Sequence, residues 1–313
     1  MPIFYYLLLL ATSLMWAGNI VISKTLVDHA SPMTLTSLRW LIAVLSLIPI
    51  VWWKERKILP PRKALLPLFL MGITGVVLFN IFQFLAVERT TASNVGLITT
   101  LNAISIAVFS AIFLKEKMTF LQMVAMLFSL FGVLLVLTKG NMELLLSFEI
   151  NKGDLLMLLA VALWGIYSVC SKWATTKTSP MMATLYAGIF GLIILLPFNI
   201  SSFTVTNVDA SFIKAILYTG FISTVVCMVL WSIGVQKLGA TSAGIFMNFN
   251  PVFTALLAFI FLGETLTWIQ MVGSCIVIIG CYLFSYFKTK TIFPKRKQVQ
   301  LQSFNESMVR GKM

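Results

Sequence analysis

Long apolar stretches alternate with short polar breaks from residue 4 to residue 287. Each stretch has roughly the 20 residues that an α-helix needs to cross the hydrocarbon core of a bilayer. Apolar and polar residues do not alternate within the stretches, as they would in the strands of a membrane β-barrel. The pattern predicts an all-α integral membrane protein with ten transmembrane helices, at 4–26, 33–53, 65–87, 93–114, 119–138, 154–174, 181–200, 212–234, 240–262 and 267–287.

The composition excludes a water-soluble protein, because 59% of the 313 residues are hydrophobic and only 11% are charged. A net charge of +13 is compatible with a nucleic-acid partner, but the positions of the charges indicate another cause. If the N-terminus is cytoplasmic, 17 of the 23 Lys and Arg residues fall on the cytoplasmic side, mainly at 54–63 and after Phe287. Basic segments stay in the cytoplasm. We therefore predict a multi-pass protein of the bacterial cytoplasmic membrane with both termini cytoplasmic and no nucleic-acid partner.

The two halves of the chain match each other at a constant offset of 148 residues, without a gap. Shared hydrophobicity does not explain the match, because many matched residues are Trp, Pro, Lys, Asn or Glu. Each copy holds five spans, an odd number, so the second copy enters the membrane in the opposite direction and the halves form an inverted repeat. Such halves can exchange conformations, which indicates alternating access. Matched pairs include Trp16 and Trp164, Lys24 and Lys172, Pro32 and Pro180, Asn102 and Asn250, and Glu116 and Glu264.

The repeat sets the predicted domain boundaries. Residues 1–138 form the first five-helix repeat and residues 154–287 form the second. An external linker at 139–153 joins them. We expect the remaining residues, 288–313, to be a basic cytosolic tail that is attracted to anionic lipid.

Two segments that close the repeats resemble a known family. They are FLKEKMTFLQMVAMLFSLFG at 113–132 and FLGETLTWIQMVGSCIVIIG at 261–280. The chain resembles the EamA-type transporters of the drug/metabolite transporter superfamily, and it departs from their pattern at Lys115, where the family has Gly, and at Ala187, where the second repeat lacks an Arg. The resemblance implies two EamA repeats that carry amino acids, other metabolites or drugs, usually outward. It is also carried by Trp16, Trp164, Pro32, Pro180 and Arg39.

Neutral polar side chains occur inside several predicted helices, where an amide without a partner costs several kcal/mol. One interpretation is that they line a central substrate cavity, and the other is that they form interhelical hydrogen bonds. Asn80 and Gln83 lie three residues apart, on one helix face. Tyr167 and Trp231 take the repeat positions of Asn19 and Gln83. The predicted substrate-binding residues are Asn19, Asn80, Gln83, Thr99, Asn102, Tyr167, Trp231, Asn248 and Asn250.

Three basic residues near helix ends are candidates for gating or for contact with an anion. Arg39 is expected to pair with an anionic substrate, with Asp28 or with lipid phosphate. Lys24 and Lys172 occupy equivalent repeat positions, one at the outer mouth and one at the inner. Their alternative interpretation is interfacial, because a lysine at a helix end reaches the headgroup region at little cost.

Three prolines are expected to have structural roles. Pro32 and Pro180 each follow a serine, which is typical of a helix start. Pro251 removes a backbone donor within the ninth helix and is expected to kink it and free carbonyls near the middle of the membrane. Ala103 stands at its repeat position, so we expect the two halves to differ here.

Glu116 and Glu264 fall in the tight breaks after the fourth and ninth helices. Each precedes the Thr-containing start of another helix, where the helix dipole and orphan N–H groups stabilise a carboxylate. We therefore expect structural roles for both.

The buried chemistry does not indicate an enzyme. The only histidine, His29, lies in a break, and the four cysteines have no CxxC spacing. No catalytic triad or metal site can be assembled from these residues, so we expect no cofactor.

The acidic residues bear on energy coupling, since all ten Asp and Glu lie in breaks, at helix ends or in the tail. A proton-coupled carrier usually needs a titratable group in the middle of the membrane. We therefore expect a secondary transporter that exports a small metabolite or drug by facilitated diffusion or exchange. The alternatives are a non-transporting scaffold or assembly subunit and a proton-coupled multidrug exporter. Expected partners are a small-molecule substrate and membrane lipid; the oligomeric state stays open, and a monomer is compatible with the sequence.

Overall fold

The computed structural model describes residues 2–23, 25–26, 28–141, 143 and 151–292, and these residues confirm the prediction of ten membrane-spanning helices. The last helix begins at Trp268 and continues to Ile292, past the predicted start of the tail. The rest of the tail and most of the linker lie outside the described residues. The spans are α1 Ile3–Ser23, α2 Pro32–Glu55, α3 Arg62–Val87, α4 Asn94–Phe113, α5 Phe120–Thr138, α6 Lys152–Thr175, α7 Pro180–Ser202, α8 Ala210–Leu238, α9 Ala240–Phe261 and α10 Trp268–Lys288.

Helices α2 and α7 begin at the predicted Ser-Pro pairs. Pro32 and Pro180 lie in the first turn, where no backbone N–H is needed. The Ser31 hydroxyl accepts the Thr34 N–H at 3.2 Å, and the Ser179 hydroxyl accepts the Met182 N–H at 3.0 Å. Both helix starts are therefore fixed by local sequence.

Helices α3 and α8 each contain wide π-helical turns at equivalent repeat positions, Gly72–Leu78 and Tyr218–Val226. A wide turn leaves carbonyls without their usual helical partners. The Asn80 side chain donates to the Val76 carbonyl at 2.8 Å and to the Gly75 carbonyl at 3.3 Å. Asn80 therefore satisfies its own helix, which differs from the substrate-binding role predicted for it.

Helices α4 and α9 are both interrupted near the middle of the membrane. Helix α9 passes through a 3₁₀ segment at Ile245–Asn248, just before Pro251, as the proline predicts. Helix α4 breaks after Thr99 without a proline. Thr99 and Thr100 donate their hydroxyls to carbonyls three residues back, at 2.7 and 2.6 Å, which compensates for the lost helical bonds. Helices α4 and α9 are therefore interrupted at matched repeat positions, although only α9 has a proline there and the local geometry of the two breaks differs.

The helices pack in pairs that follow the inverted repeat. Helix α1 packs on α8 and α9, and its counterpart α6 packs on α3 and α4. Helices α2 and α7 pack together, and so do α5 and α10. Most contacts of α1 and α6 are therefore made with the other half of the chain, and neither half can close its core alone.

Close approach of α5 and α10 depends on repeat-related glycines. A Cβ atom added to Gly132 would lie 2.7 Å from the Gly273 carbonyl oxygen and 2.8 Å from the Val277 nitrogen. A Cβ atom added to Gly280 would lie 2.7 Å from the Ser129 Cβ. The backbones of α5 and α10 therefore touch, as small residues allow in membrane helix pairs.

We expect Gly132→Ala to destabilise the protein by about 1–3 kcal/mol, because the new methyl group meets backbone that cannot move aside. Gly96→Ala is the matched control, since its Cβ would meet only the end of Leu137 at 3.9 Å. The melting temperature in detergent should fall for Gly132→Ala and be unchanged or rise for Gly96→Ala. Equal melting temperatures for the two variants would contradict the close packing of α5 and α10.

Candidate functional site

A cavity of about 450 Å³ lies between α1, α3, α4, α5, α9 and α10. Its lining reaches Val21, Lys139 and Glu264, at the end of the bundle where the odd-numbered helices finish. We call this the main cavity, and we call that end of the protein the open end. The charge distribution predicts that the open end faces outward.

A second cavity of about 190 Å³, the deep pocket, continues from the main cavity toward the centre of the protein. Arg39 of α2, Asn19 of α1 and Trp164 of α6 line it together with residues of α3, α4, α8 and α9. Both halves of the chain therefore form its wall. The residues common to the two cavities are Ile20, Phe79, Gln83, Asn102, Met247 and Asn250.

Six of the nine predicted substrate-binding residues line these cavities. They lie on α1, α3, α4 and α9, so four helices present amide or hydroxyl groups to one space. Whether these groups bind substrate stays a prediction. The six are Asn19, Gln83, Thr99, Asn102, Asn248 and Asn250.

The other three are absent from the described lining of either cavity. Asn80 bonds to its own helix, as described above. Tyr167 and Trp231 are 0% and 1% exposed and lie behind the pocket wall. The Tyr167 ring stacks on Trp164 at 5.0 Å between centroids, and the Trp231 ring lies 5.6 Å from Trp16. Tyr167 and Trp231 therefore support the pocket wall from behind.

Trp16 and Trp164 form an aromatic wall that was not predicted as part of the site. Their ring centroids are 5.9 Å apart, with planes at 74°, and both residues line the deep pocket. The Trp16 indole donates to the Ser223 carbonyl at 3.2 Å, which fixes the ring. Their equivalence in the repeat was visible in the sequence. Two matched tryptophans in the first helix of each repeat would have indicated a shared position near the symmetry axis.

Several polar atoms around the deep pocket have no hydrogen-bond partner within the described part of the chain. Those that belong to residues lining it are the Oδ1 atoms of Asn19, Asn102 and Asn250 and the Nε atom of Arg39, and all four atoms are buried. The Thr254 hydroxyl in the main cavity is also unpaired, and so are single groups outside both linings, on Trp40, Ser110 and Trp231. Among the described residues, Arg39 has neither a hydrogen bond nor an ion pair. Buried polar groups in native proteins are nearly always paired, so unpaired ones at a cavity indicate a place for a ligand or water.

The opposite end of the bundle, the closed end, is held by contacts between the two halves. The Glu116 carboxylate accepts the N–H groups of Ala240 and Thr241 at 3.0 and 3.1 Å. It therefore caps the start of α9, which lies in the other repeat, and not the helix that follows it. Helix α5 is capped instead by Thr119 and Gln122. The expected structural role is present, with a different helix as its partner.

Two lysines add to the closed end. The Lys172 ammonium donates to the Gln236 carbonyl at 2.6 Å, and Lys288 donates to the Leu238 carbonyl and to Ser242. Lys172 therefore joins α6 to α8 at the end that is closed. Its repeat counterpart Lys24 lies outside the described residues.

Glu264, the repeat counterpart of Glu116, lies exposed at the mouth of the main cavity. Its side chain makes no hydrogen bond within the part of the chain that the structure describes. Equivalent residues of the two repeats thus have different environments at the two ends.

The EamA-like transporter family matches the chain twice, at residues 3–138 and 151–286, which confirms the resemblance seen in the sequence. An uncharacterized transporter of Archaeoglobus fulgidus is 31% identical over 280 residues, covering 89% of this chain and 96% of that protein. The S-adenosylmethionine/S-adenosylhomocysteine transporter of Chlamydia trachomatis is 21% identical over 286 residues, covering 88% and 87%. A solved crystal structure has the same fold, with a TM-score of 0.76 and 17% identity over 90% of this chain and 96% of that one.

Gln83 and Asn80 lie three residues apart on α3, but only Gln83 lines the cavities. In a background without the four native cysteines, we expect Gln83→Cys to react quickly with a small charged thiol reagent. Asn80→Cys should react at least about tenfold more slowly, because its side chain is 3% exposed. Labelling rates measured by mass spectrometry test this, with Thr254→Cys as a second cavity position. Equal rates at positions 80 and 83 would contradict the assigned lining.

Proposed function

The chain belongs to the EamA-like transporter family, and we propose that it is a secondary transporter that carries a small metabolite across the cytoplasmic membrane by alternating access. The observation that supports this most directly is a polar cavity that opens at one end of the bundle, opposite an end held by Glu116 and Lys172. Inverted repeats with such a cavity between them are the usual architecture of secondary transporters.

The cavity favours transport over the alternative of a scaffold. A scaffold needs packed helices but has no use for an interior polar space, and unpaired buried amides would only destabilise it. Here the unpaired oxygens of Asn102 and Asn250 occupy matched positions of the two repeats at the cavity wall. A substrate with complementary groups would pair them.

We further propose that transport is facilitated diffusion or exchange, with export as the direction. The cavities have polar walls of amides and hydroxyls, and Glu264 at the mouth is the one carboxylate in the described lining. Proton antiport generally relies on a titratable group that is exposed alternately to both sides. The substrate's own gradient therefore suffices to drive the proposed cycle.

Transport can be tested by blocking the cavity without touching its polar groups. Ala255 lines the main cavity, whereas the next residue, Leu256, is 40% exposed on the outer surface of the bundle. In overexpressing cells, mass spectrometry of the medium should show compounds that accumulate with the wild type and Leu256→Trp but not with Ala255→Trp. An identical profile for all three proteins at equal membrane abundance would count against transport through this cavity.

Energy coupling can then be measured with the compound identified. Efflux from loaded proteoliposomes should continue without a pH gradient or membrane potential, and it should accelerate when the same compound is present on the opposite side. Uphill accumulation that depends on a pH gradient and is abolished by a protonophore would overturn the exchange mechanism while leaving transport intact.

A further inference from the structure

We propose, on the basis of the transport function above, that the substrate carries a single carboxylate, which Arg39 binds in the deep pocket. A guanidinium in a membrane interior is costly unless an anion pairs with it. Arg39 has no such partner among the described residues, and its buried Nε atom is unsatisfied. The partner that completes the site is therefore expected to come from the ligand.

The position of Arg39 decides between the three partners considered for it. Asp28 belongs to the described residues and makes no ion pair with it. Lipid phosphate lies at the outside of the bundle, whereas Arg39 lines an interior pocket together with Asn19 and Trp164. An anionic substrate is the partner that remains.

The geometry of the guanidinium and the size of the pocket narrow the chemical class. A planar guanidinium matches a carboxylate through two parallel hydrogen bonds. One arginine balances one negative charge, and a pocket of about 190 Å³ admits only a small molecule or the head of a larger one. A monocarboxylate fits both limits better than a doubly charged phosphate.

The other groups that line the pocket indicate which hydrogen-bonding and apolar groups the ligand carries besides its carboxylate. The unpaired oxygens of Asn19, Asn102 and Asn250 accept hydrogen bonds, so the ligand carries N–H or O–H donors close to its carboxylate. The rings of Trp16 and Trp164 offer flat apolar surface to the part beyond these groups. The ligand is therefore an amino- or hydroxy-substituted carboxylate with an apolar portion.

A labelling assay tests this even while the identity of the ligand is open. Ile20 lines both cavities and supplies no polar group, so Ile20→Cys in a background free of native cysteines serves as the reporter. The probes are the anionic, neutral and cationic pools of a small-molecule cell extract, separated by ion exchange at high pH.

The anionic pool should slow labelling of the reporter, and Arg39→Gln should weaken that protection about tenfold or more, the usual value of a charge-assisted hydrogen-bond pair. Arg39→Lys keeps the charge and should retain part of the protection, which separates binding from a folding defect.

Protection by only the neutral or cationic pool, or undiminished protection in Arg39→Gln, would overturn the proposal and leave the transport function standing. Methyl esterification of the anionic pool should abolish protection, and survival of protection would exclude a carboxylate. Failure of every pool, together with no exported compound in the Ala255→Trp comparison, would instead count against the transport function itself.

A different set of contacts supports a second proposal, on how the two ends open and close. Glu116 caps the start of α9 at the closed end, where the backbone of Gly239 has a φ of +90° and leaves no room for a side chain. The repeat counterpart of Ala240 is Ala92, the residue at which the first helical segment of α4 begins, at the open end. The equivalent carboxylate there is Glu264, which is exposed across the cavity mouth and makes no such contact among the described residues.

We infer that the two glutamates exchange roles during the cycle. When the open end closes, Glu264 caps the start of α4, and Glu116 releases the start of α9. In both states a carboxylate pairs with the positive end of a helix dipole, so each contact stabilises one conformation. The inverted repeat favours this exchange if the second conformation is the mirror of the first. The two helix starts differ in one respect, since Thr91, at the repeat position of Gly239, accepts the Asn94 N–H with its own hydroxyl.

The exchange predicts opposite effects for two isosteric variants. The reporters are Ile20→Cys near the open end and its repeat counterpart Ser168→Cys, which is fully buried in this structure. Glu116→Gln should raise labelling of Ser168→Cys and lower that of Ile20→Cys by about two- to fivefold, from the loss of a charge at a helix N-terminus. Glu264→Gln should change both rates in the opposite direction.

Glu88→Gln is the control, because Glu88 ends α3 and caps no helix start within the described chain, so it should leave both rates unchanged. A general loss of stability would raise labelling at both reporters. Changes of the same sign in Glu116→Gln and Glu264→Gln, or no change in either, would therefore refute the exchange of roles.

Discussion

The satisfaction of backbone hydrogen bonds inside the membrane is the constraint on which the rest of this structure depends. In hydrocarbon, an unpaired N–H or C=O costs several kcal/mol, because no water is available as a hydrogen-bond partner. The irregular turns of α3, α4 and α8 each come with a nearby side chain that compensates for them. Asn80 covers the carbonyls of the wide turn in α3, Thr224 does so in α8, and two threonines cover the break in α4. Irregular helices are therefore stable without open backbone groups facing lipid.

Against that background, the unpaired atoms around the deep pocket are informative. Three unpaired amide oxygens and an unpaired guanidinium nitrogen lie together in the lining of one small pocket, whereas the unpaired groups of Trp40 and Ser110 are single atoms outside it. Unpaired buried polar groups lower the stability of a protein. They are common at ligand-binding sites, where the ligand supplies the missing hydrogen bonds. The same physical rule thus separates Asn80, which bonds to its own helix, from Asn102, whose amide oxygen is unpaired at the cavity wall.

The sequence was sufficient to predict the helices and the inverted repeat, because both depend on one-dimensional patterns. Apolar length gave the ten spans, and the ends of α8 and α10 differed most, with α8 continuing to Leu238 past the predicted residue 234 and α10 to Ile292 past the predicted residue 287. The ungapped offset predicted which helices correspond. The candidate site was less predictable, because a polar side chain within a span can face a cavity or bond to its own helix, and periodicity does not distinguish the two.

The predicted residues that line no cavity are related to the symmetry. Asn19 and Gln83 line the cavities, whereas their repeat counterparts Tyr167 and Trp231 are buried behind the wall. Residues at equivalent repeat positions are expected to have the same environment only when both conformations are averaged. This structure shows one conformation. Trp16 and Trp164 are an exception, because they lie close to the symmetry axis of the repeat. Both members of this pair therefore line the same pocket.

The proposed anion site also explains why exchange should be favoured over net flow. Closing the cavity around an empty deep pocket would enclose the Arg39 charge without water or partner, at a cost of several kcal/mol. A bound carboxylate neutralises that charge, so the loaded carrier can close at much lower cost. In the proposed cycle, the empty carrier therefore returns slowly, whereas a carrier that binds substrate on the far side returns quickly. Coupling of this kind needs no titratable group in the membrane, since the substrate's own charge decides when the protein can change conformation.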